Sequence, residues 1–232
     1  TVADGSDASR QISQVVLLNS DFTHLPQVVM EGRRVVNNVT RTAQVFFIKT
    51  IYSILVSLFC LAANQPFPFI PIQITLVDAC IEAYPSFLTI LEADTGRLRG
   101  KFLPTALSHA APFGIAVTGI ILLFSLLAPF DVRQRQTVMY LLLILISMAA
   151  VVKSCIPFNG LRLFICVTMA GGTFFALAVL PSLFQVESVT AGMAAAVLMG
   201  GAMACLLLLI LEQIRRQGMR RREQRRMVKP EC

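Results

Sequence analysis

The sequence is poor in the residue types on which soluble enzymes and metal-binding domains depend. Only 14% of its 232 residues are charged, whereas soluble domains carry about 25%. Its six cysteines form no CxxC and no Cys/His pattern, and most of them lie inside apolar runs. This placement favours small packing residues over a disulfide framework or a metal centre. The shortage of charge indicates that much of the surface contacts lipid.

Long apolar runs take the place of charge. The chain is 56% hydrophobic, and its mean hydropathy is +0.71. Residues 1–40 are polar and mixed and contain no signal-peptide pattern. We therefore predict an all-α polytopic membrane protein, with six transmembrane helices that are each near the roughly 20 residues needed to cross a bilayer. The predicted spans are 42–63, 67–91, 110–128, 136–154, 161–182 and 189–211.

Basic residues are distributed unevenly among the connections between these spans. The connections on one side hold Arg133 and Arg135, and the other side holds all the remaining flanking Lys and Arg. Because cytoplasmic connections carry the excess of Lys and Arg, we expect a cell-membrane protein with both termini in the cytoplasm. The residues on the basic side are Arg33, Arg34, Arg41, Arg97, Arg99, Lys101, Lys153 and Arg162, followed by the tail.

The tail, residues 212–232, is strongly basic. Eight of the twenty Lys and Arg residues lie between Arg215 and Lys229. Such a cluster is sometimes a nucleic-acid contact, but directly after an apolar span it is more typical of a topology signal or of contact with anionic lipids. We therefore expect anionic lipids, and no nucleic acid, as partners of the tail.

Residues 1–25 have the pattern of the edge of a soluble domain. Ser6 or Asp7 is positioned to cap a short helix over 7–14, and VVLL at 15–18 suggests a short buried strand. Pro26 then suits the first turn of a stalk helix over 26–41. Since 40 residues are too few for a domain, we expect a small α/β remnant of a cytoplasmic domain and a missing N-terminal part of the same polypeptide.

The second predicted span carries two carboxylates. Asp78 and Glu82 are four residues apart and therefore share one face of a helix. A carboxylate at membrane depth costs about 2.5–3.5 kcal/mol on insertion scales, and two like charges cost more unless a cation lies beside them. Pro71 and Pro85 flank the pair, and prolines free backbone carbonyls. Carboxylate, carbonyl and hydroxyl oxygens are the ligands that hard cations prefer.

The first predicted span supplies further polar groups. Lys49 is an internal counter-charge, and a purely structural pair with Asp78 or with Glu82 is an alternative to a cation pathway. Thr50 and Ser53 lie beside Lys49 and are candidate ligands, although such hydroxyls more often bond to their own helix backbone. In the last two spans, the small residues Gly171–Gly172, Gly192, Ala196 and Gly200 predict close helix packing.

These motifs resemble a known family. IPIQITLVDACIEAYPSFL is similar to the sixth membrane helix of P-type cation-transporting ATPases, and GSDASRQISQVVLLNSDFTHLPQVVMEGRRVVNNV is similar to the end of their phosphorylation domain and the stalk that follows. KTIYS, the IPIQ run and the PSFL and RGKFLP segments look most like the bacterial cation-transporting ATPase E group. The resemblance covers nearly the whole chain, and the first 100 residues carry the specific motifs.

The resemblance implies roles that the residue pattern alone does not. The six spans would be the family's fifth to tenth helices, and Asp78 and Glu82 match its two cation-ligand positions on the sixth. Thr50 and Ser53 fall where calcium pumps have an Asn and a Glu. The full-length enzyme would use ATP and Mg²⁺, pass through an aspartyl-phosphate and transport a divalent cation such as Ca²⁺.

The sequence also departs from the family pattern. It lacks the phosphorylated Asp-Lys-Thr-Gly-Thr motif, the Thr-Gly-Glu motif and the Gly-Asp-Gly-x-Asn-Asp hinge. We therefore expect that this chain alone is not catalytic and holds only part of the ion site. The replacement of a carboxylate by Ser53, together with the nearby Lys49, favours one divalent cation per cycle. A six-helix secondary transporter and a non-catalytic membrane scaffold are the alternatives.

Overall fold

A computed structural model describes residues 1–19, 21–92, 96 and 102–228, with side chains as far as Gly218. Arg97, Arg99 and Lys101, which contributed to the predicted orientation, lie outside the described residues. The described part of the chain is helical apart from its connections. Its elements are α1 (Asp7–Ile12), a 3₁₀ turn (Phe22–His24), α2 (Leu25–Ala63), α3 (Pro71–Leu76), a π-helical turn (Val77–Ala83), α4 (Tyr84–Thr89), α5 (Phe102–Leu127), α6 (Val132–Ser154), α7 (Gly160–Val179) and α8 (Ala191–Val228).

The N-terminal segment forms a helix but no strand. Helix α1 begins after Ser6, whose Oγ accepts a hydrogen bond from the backbone N–H of Ser9 at 3.2 Å, as an N-cap residue does. Around the predicted strand at 15–18 there is only an isolated bridge between Val2 and Leu17, and Leu18 is exposed. A buried strand needs neighbouring strands and covering helices, which this short segment does not supply. The predicted α/β remnant is therefore not confirmed.

Helix α2 joins the predicted stalk and the first predicted span without a break. It begins at Leu25 with Pro26 in its first turn, where the missing N–H of proline costs nothing. It ends before Asn64, which has a left-handed backbone with φ of 50°. Its 39 residues make it roughly 58 Å long, about twice the thickness of the hydrocarbon core of a bilayer.

The second predicted span is broken into three short pieces. α3 and α4 have six residues each and are separated by the seven-residue π turn. The N–H of Tyr84 bonds to the carbonyl of Ala79, five residues earlier, and Pro85 has no N–H with which to restore the α-helical ladder. The described residues contain five other helices that are long and apolar enough to cross a membrane. The chain is therefore a multi-pass helical membrane protein.

Two of these helices, α5 and α8, extend beyond the predicted spans by eight residues or more. α5 begins at Phe102 rather than at residue 110, and α8 continues past residue 211 to Val228. The basic segment is therefore helical as far as its backbone is described. Proximity to the apolar part of α8 explains this continuation, because adding residues to an existing helix is much easier than nucleating one.

Close backbone contacts hold the helices together at two glycines. A Cβ added to Gly114 in α5 would lie 2.5 Å from Cγ2 of Ile51 in α2, and one added to Gly200 in α8 would lie 2.8 Å from Leu142 in α6. A Cβ added to either residue of Gly171–Gly172 would meet nothing within 4 Å. The small-residue prediction is thus confirmed for Gly200, while Gly171–Gly172 makes no such contact with the described residues.

Candidate cation site

An ion pair joins the first predicted span to the broken segment. Nζ of Lys49 in α2 lies 2.5 Å from Oδ2 of Asp78 in the π turn. Of the two pairings that the sequence allowed, the structure forms the one with Asp78. The side chain of Lys49 is 32% exposed and that of Asp78 is 36% exposed, so the pair is partly accessible from outside the chain.

Glu82 lies in the same π turn but in a closed environment. Its residue surface is only 3% exposed, and its Oε2 atom is buried without a hydrogen-bond partner. The Oδ1 atom of Asp78 is also buried and unpartnered. A buried carboxylate oxygen without a partner is costly. Both oxygens therefore favour the approach of a positively charged ligand.

Tyr52 is a residue of this site that the sequence did not reveal. It lies one turn after Lys49, is 1% exposed, and its buried hydroxyl makes no hydrogen bond of normal geometry. The electric fields of Asp78 and Glu82 reach this hydroxyl. In the sequence, a tyrosine in an apolar run looks like an ordinary core aromatic residue. The only indication that Tyr52 belongs to the site was its spacing of three residues from Lys49.

The two hydroxyl residues predicted as ligands differ in their surroundings. Thr50 is exposed, and its Oγ1 donates to the carbonyl of Phe46 on the same helix at 3.2 Å. Ser53 is half-buried and follows Tyr52 directly. The structure thus brings Lys49 into contact with Asp78 and directs the Thr50 hydroxyl to its own backbone. The ligand roles of Thr50 and Ser53 stay predictions.

Side-chain hydrogen bonds fix the broken segment at both ends. The hydroxyl of Tyr140 in α6 donates to the carbonyl of Gln73 at 3.0 Å, and the Gln73 amide donates to the carbonyl of Phe184 at 2.9 Å. Near the other end, the hydroxyls of Tyr84 and Thr168 in α7 are 2.7 Å apart. These bonds set the position of the carboxylates relative to the longer helices.

Glu92, just beyond α4, connects three parts of the bundle. Its carboxylate pairs with Arg41 of α2 and accepts from Nε of Arg162 in α7 at 2.7 Å and from the amide of Asn159 at 3.0 Å. Its carbonyl accepts from Nε of Arg34 at 3.2 Å. Burial opposes its charge, but the hydrogen bonds from Arg162 and Arg41 outweigh burial and hold the pKa of the carboxyl below its ordinary value.

The oxygens around the π turn suit a hard cation. Carboxylate and hydroxyl oxygens are the usual ligands of Ca²⁺ and Mg²⁺, and the π turn itself contains one cysteine, Cys80, rather than a pair. The described residues contain no group of three or more His, Cys, Asp or Glu side chains that would hold a metal ion. Asp78, Glu82 and Tyr52 are the candidate oxygen ligands that the described residues offer at this place.

Comparison with known proteins gives the chain its relatives. It is 36% identical over 203 residues to the probable cation-transporting ATPase exp7 of Streptococcus pneumoniae, a match that covers 82% of this chain. It is 37% identical over 145 residues to the calcium-transporting ATPase CtpE of Mycobacterium bovis, covering 58% of this chain. It is 28% identical over 205 residues to the CtpE of Mycolicibacterium smegmatis, covering 80% of this chain. No protein-family model matches the chain.

The matched region is only one part of each relative. The chain spans 26% of the length of the Streptococcus and Mycolicibacterium proteins and 18% of the Mycobacterium protein. The names of these relatives agree with the family resemblance of the sequence and with the helical membrane fold. The chain belongs to the family of P-type cation-transporting ATPases.

Proposed function

We propose that this chain is the membrane portion of an ATP-driven cation pump and carries part of its ion-binding site. The observation that carries the proposal is the pair of buried, unpartnered carboxylate oxygens on Asp78 and Glu82. The transported ion is a divalent cation such as Ca²⁺, because the available ligands are hard oxygens. Two of the relatives described above are named calcium-transporting ATPases, which supports this choice.

The contacts of the broken segment support six membrane crossings. In this arrangement α3, the π turn and α4 together form the second crossing. Glu92, just beyond α4, pairs with Arg41, which precedes the apolar half of α2. Asp78 pairs with Lys49 further along α2. The broken segment therefore runs antiparallel to α2, and its end lies at the same level of the bundle as Arg41. Breaks in a membrane helix are tolerated where other protein groups or a ligand satisfy the freed backbone.

The proposed topology places both termini in the cytoplasm of a cell-membrane protein. The contacts between Arg41, Glu92 and Arg162 gather basic residues at one end of the bundle, as the positive-inside rule requires of the cytoplasmic end. The partners of this portion are the lipid bilayer, the transported cation, anionic lipids around the tail and the remaining N-terminal part of the pump.

The mechanism places chemistry and transport in different parts of the pump. ATP and Mg²⁺ would be bound by the remaining part, since this chain has neither the phosphorylated Asp motif nor the hinge motif. This chain contributes α2, which is continuous from the stalk to the site. A displacement of α2 would move Lys49 and Tyr52 together relative to Asp78 and Glu82. Ligand geometry and ion access would then change in a single step between two states.

The proposal is tested with Asp78→Asn and Glu82→Gln in the full-length protein. Each change keeps the side-chain shape and removes one negative charge, so we expect the loss of cation-stimulated ATP hydrolysis. The control is Glu187→Gln, a carboxylate 39% exposed and 3.9 Å from Arg133, which should leave activity unchanged. If both site variants kept normal ATP hydrolysis at the normal cation concentration, Asp78 and Glu82 would not be part of the ion site.

A further inference from the structure

A second charged cluster lies apart from the candidate cation site, at the junction of α5, α6 and α8. Glu212 of α8 accepts from Nζ of Lys153 at 2.9 Å, pairs with Arg215 and lies 3.6 Å from Nε of Arg216. Nε2 of His109 in α5 is 3.3 Å from Nη1 of Arg215. These residues lie where α5 begins, where α6 ends and where α8 leaves its most apolar part.

Among the described residues, three cationic side chains share one carboxylate in this cluster. Lys153, Arg215 and Arg216 all lie within 4 Å of the carboxylate of Glu212. Lys153 is 40% exposed and Arg216 is 68% exposed, whereas the Glu212 side chain is only 12% exposed. The cationic groups of Lys153 and Arg216 are therefore accessible to an anion from outside the chain.

A cavity of about 240 Å³ opens beside Lys153. It is much larger than a single bound water, and it lies among α2, α5 and α6. Nζ of Lys153 lies 5.1 Å from the centroid of the Phe113 ring, which places the ammonium at the boundary between two kinds of lining. The polar lining includes His109, Lys153 and Ser154, and the apolar lining includes Val45, Ile48 and Phe113.

We propose that this cavity binds the phosphate of an anionic phospholipid through Lys153, which lines it. Arg216, which lies outside the lining but close to the same Glu212 carboxylate, adds to the electrostatic attraction. Basic pockets between membrane helices at the cytoplasmic side recognise such headgroups. The apolar lining distinguishes a lipid from free phosphate, because Val45, Ile48 and Phe113 offer a surface for the start of an acyl chain. The site is separate from the carboxylate pair, and its main contact, Lys153 of α6, lines a discrete cavity outside the tail to which Arg216 belongs.

The absence of tryptophan from the chain allows a direct binding experiment. Ile156 lines the mouth of the cavity and is 59% exposed, so Ile156→Trp places one fluorophore there without disturbing the core. The 232-residue chain in detergent micelles is titrated with phosphatidylglycerol that carries bromine on its acyl chains, and separately with brominated phosphatidylcholine. We expect the anionic lipid to quench the tryptophan at a concentration at least several-fold lower.

Charge-removing variants test the assignment of the residues. Lys153→Gln and Arg216→Gln should each weaken the quenching by phosphatidylglycerol about fivefold, the effect of one basic residue near an anionic lipid. Arg216 is exposed, so its replacement leaves the packing intact. The matched control is Arg133→Gln, which is 81% exposed and lies away from the cavity, and it should have no effect.

Three results would overturn the proposal. The first is equal quenching by the anionic and the zwitterionic lipid. The second is equal lipid affinity in Lys153→Gln, Arg216→Gln and the Arg133→Gln control. The third is displacement of the brominated lipid by millimolar inorganic phosphate, which would show that the cavity takes a free phosphate rather than a lipid headgroup.

Discussion

The two carboxylates of the π turn have different electrostatic surroundings. Asp78 is neutralised by Lys49 through one oxygen and keeps the other unpartnered, whereas Glu82 is buried without a cation within salt-bridge distance among the described residues. With both carboxylates ionised, the three groups would together carry one net negative charge. One divalent cation would reverse that sign, and a second would leave three positive charges in a poorly solvated place. The charge count therefore favours one divalent cation per cycle.

At the scale of single residues, the replacement Lys49→Met tests the role of the lysine charge most directly. It removes a positive charge 2.5 Å from Asp78 while keeping an unbranched side chain, so cation affinity should rise on the order of tenfold because a like charge is lost. Cation uptake per ATP hydrolysed should also change. Both are measured with the full-length protein in sealed vesicles, with Arg133→Gln as the control. Unchanged affinity and an unchanged ratio would make Lys49 a structural residue.

At the scale of elements, the sequence predicts some features and misses others for physical reasons. The four-residue spacing of Asp78 and Glu82 and the prolines on either side are local patterns. The polar face of the second predicted span could therefore be predicted from the sequence. The π turn was not, because it depends on where the helix ladder shifts between Pro71 and Pro85. The choice of Asp78 over Glu82 as partner of Lys49 depends on the relative position of two elements. The strand predicted at 15–18 is not confirmed, and strand formation depends on pairing partners that a local pattern does not reveal.

Helix packing can be tested at Gly114. In Gly114→Ala, the new Cβ would lie 2.5 Å from Ile51, and such overpacking costs about 1–3 kcal/mol. In Gly171→Ala, the Cβ would meet nothing within 4 Å, so stability should hold or rise by up to about 1 kcal/mol. Unfolding in mixed detergent micelles measures both. Adding Ile51→Ala to Gly114→Ala should recover part of the loss, and equal stability of the two glycine variants would contradict this packing.

At the scale of the whole molecule, Glu92 is the point where distant parts of the chain meet. It joins α2 through Arg41 and α7 through Arg162, and it follows directly after the segment that holds the carboxylates. A movement of α2 therefore acts on the second segment at two levels, at Glu92 and at the Lys49–Asp78 pair. A displacement of α2 relative to this segment would therefore disturb both contacts together.

The contribution of Glu92 to stability should depend on pH. Its folded-state pKa is depressed, so its stabilising effect is present above the unfolded value of about 4.3 and is lost as pH falls through the folded value. At neutral pH, Glu92→Gln should lower the free energy of unfolding by about 1–3 kcal/mol. The difference from the unmodified chain should shrink as the solution is acidified below pH about 4.

The control for this prediction is Glu31→Gln. Glu31 is 64% exposed and lies 3.4 Å from Arg34, and an exposed pair of this kind contributes about 0–1 kcal/mol. Its removal should change stability little at any pH. A Glu92→Gln variant with the same stability as the control, or with a deficit that persists undiminished at low pH, would contradict the role assigned to Glu92.

Equilibrium binding of radioactive Ca²⁺ to the purified full-length protein without nucleotide tests the central claim most directly. We expect one bound ion per molecule in the unmodified protein and in Glu187→Gln, and none in the double variant Asp78→Asn with Glu82→Gln at the same Ca²⁺ concentration. Binding of one ion with unchanged affinity in the double variant would contradict it, because the ion would then be held elsewhere.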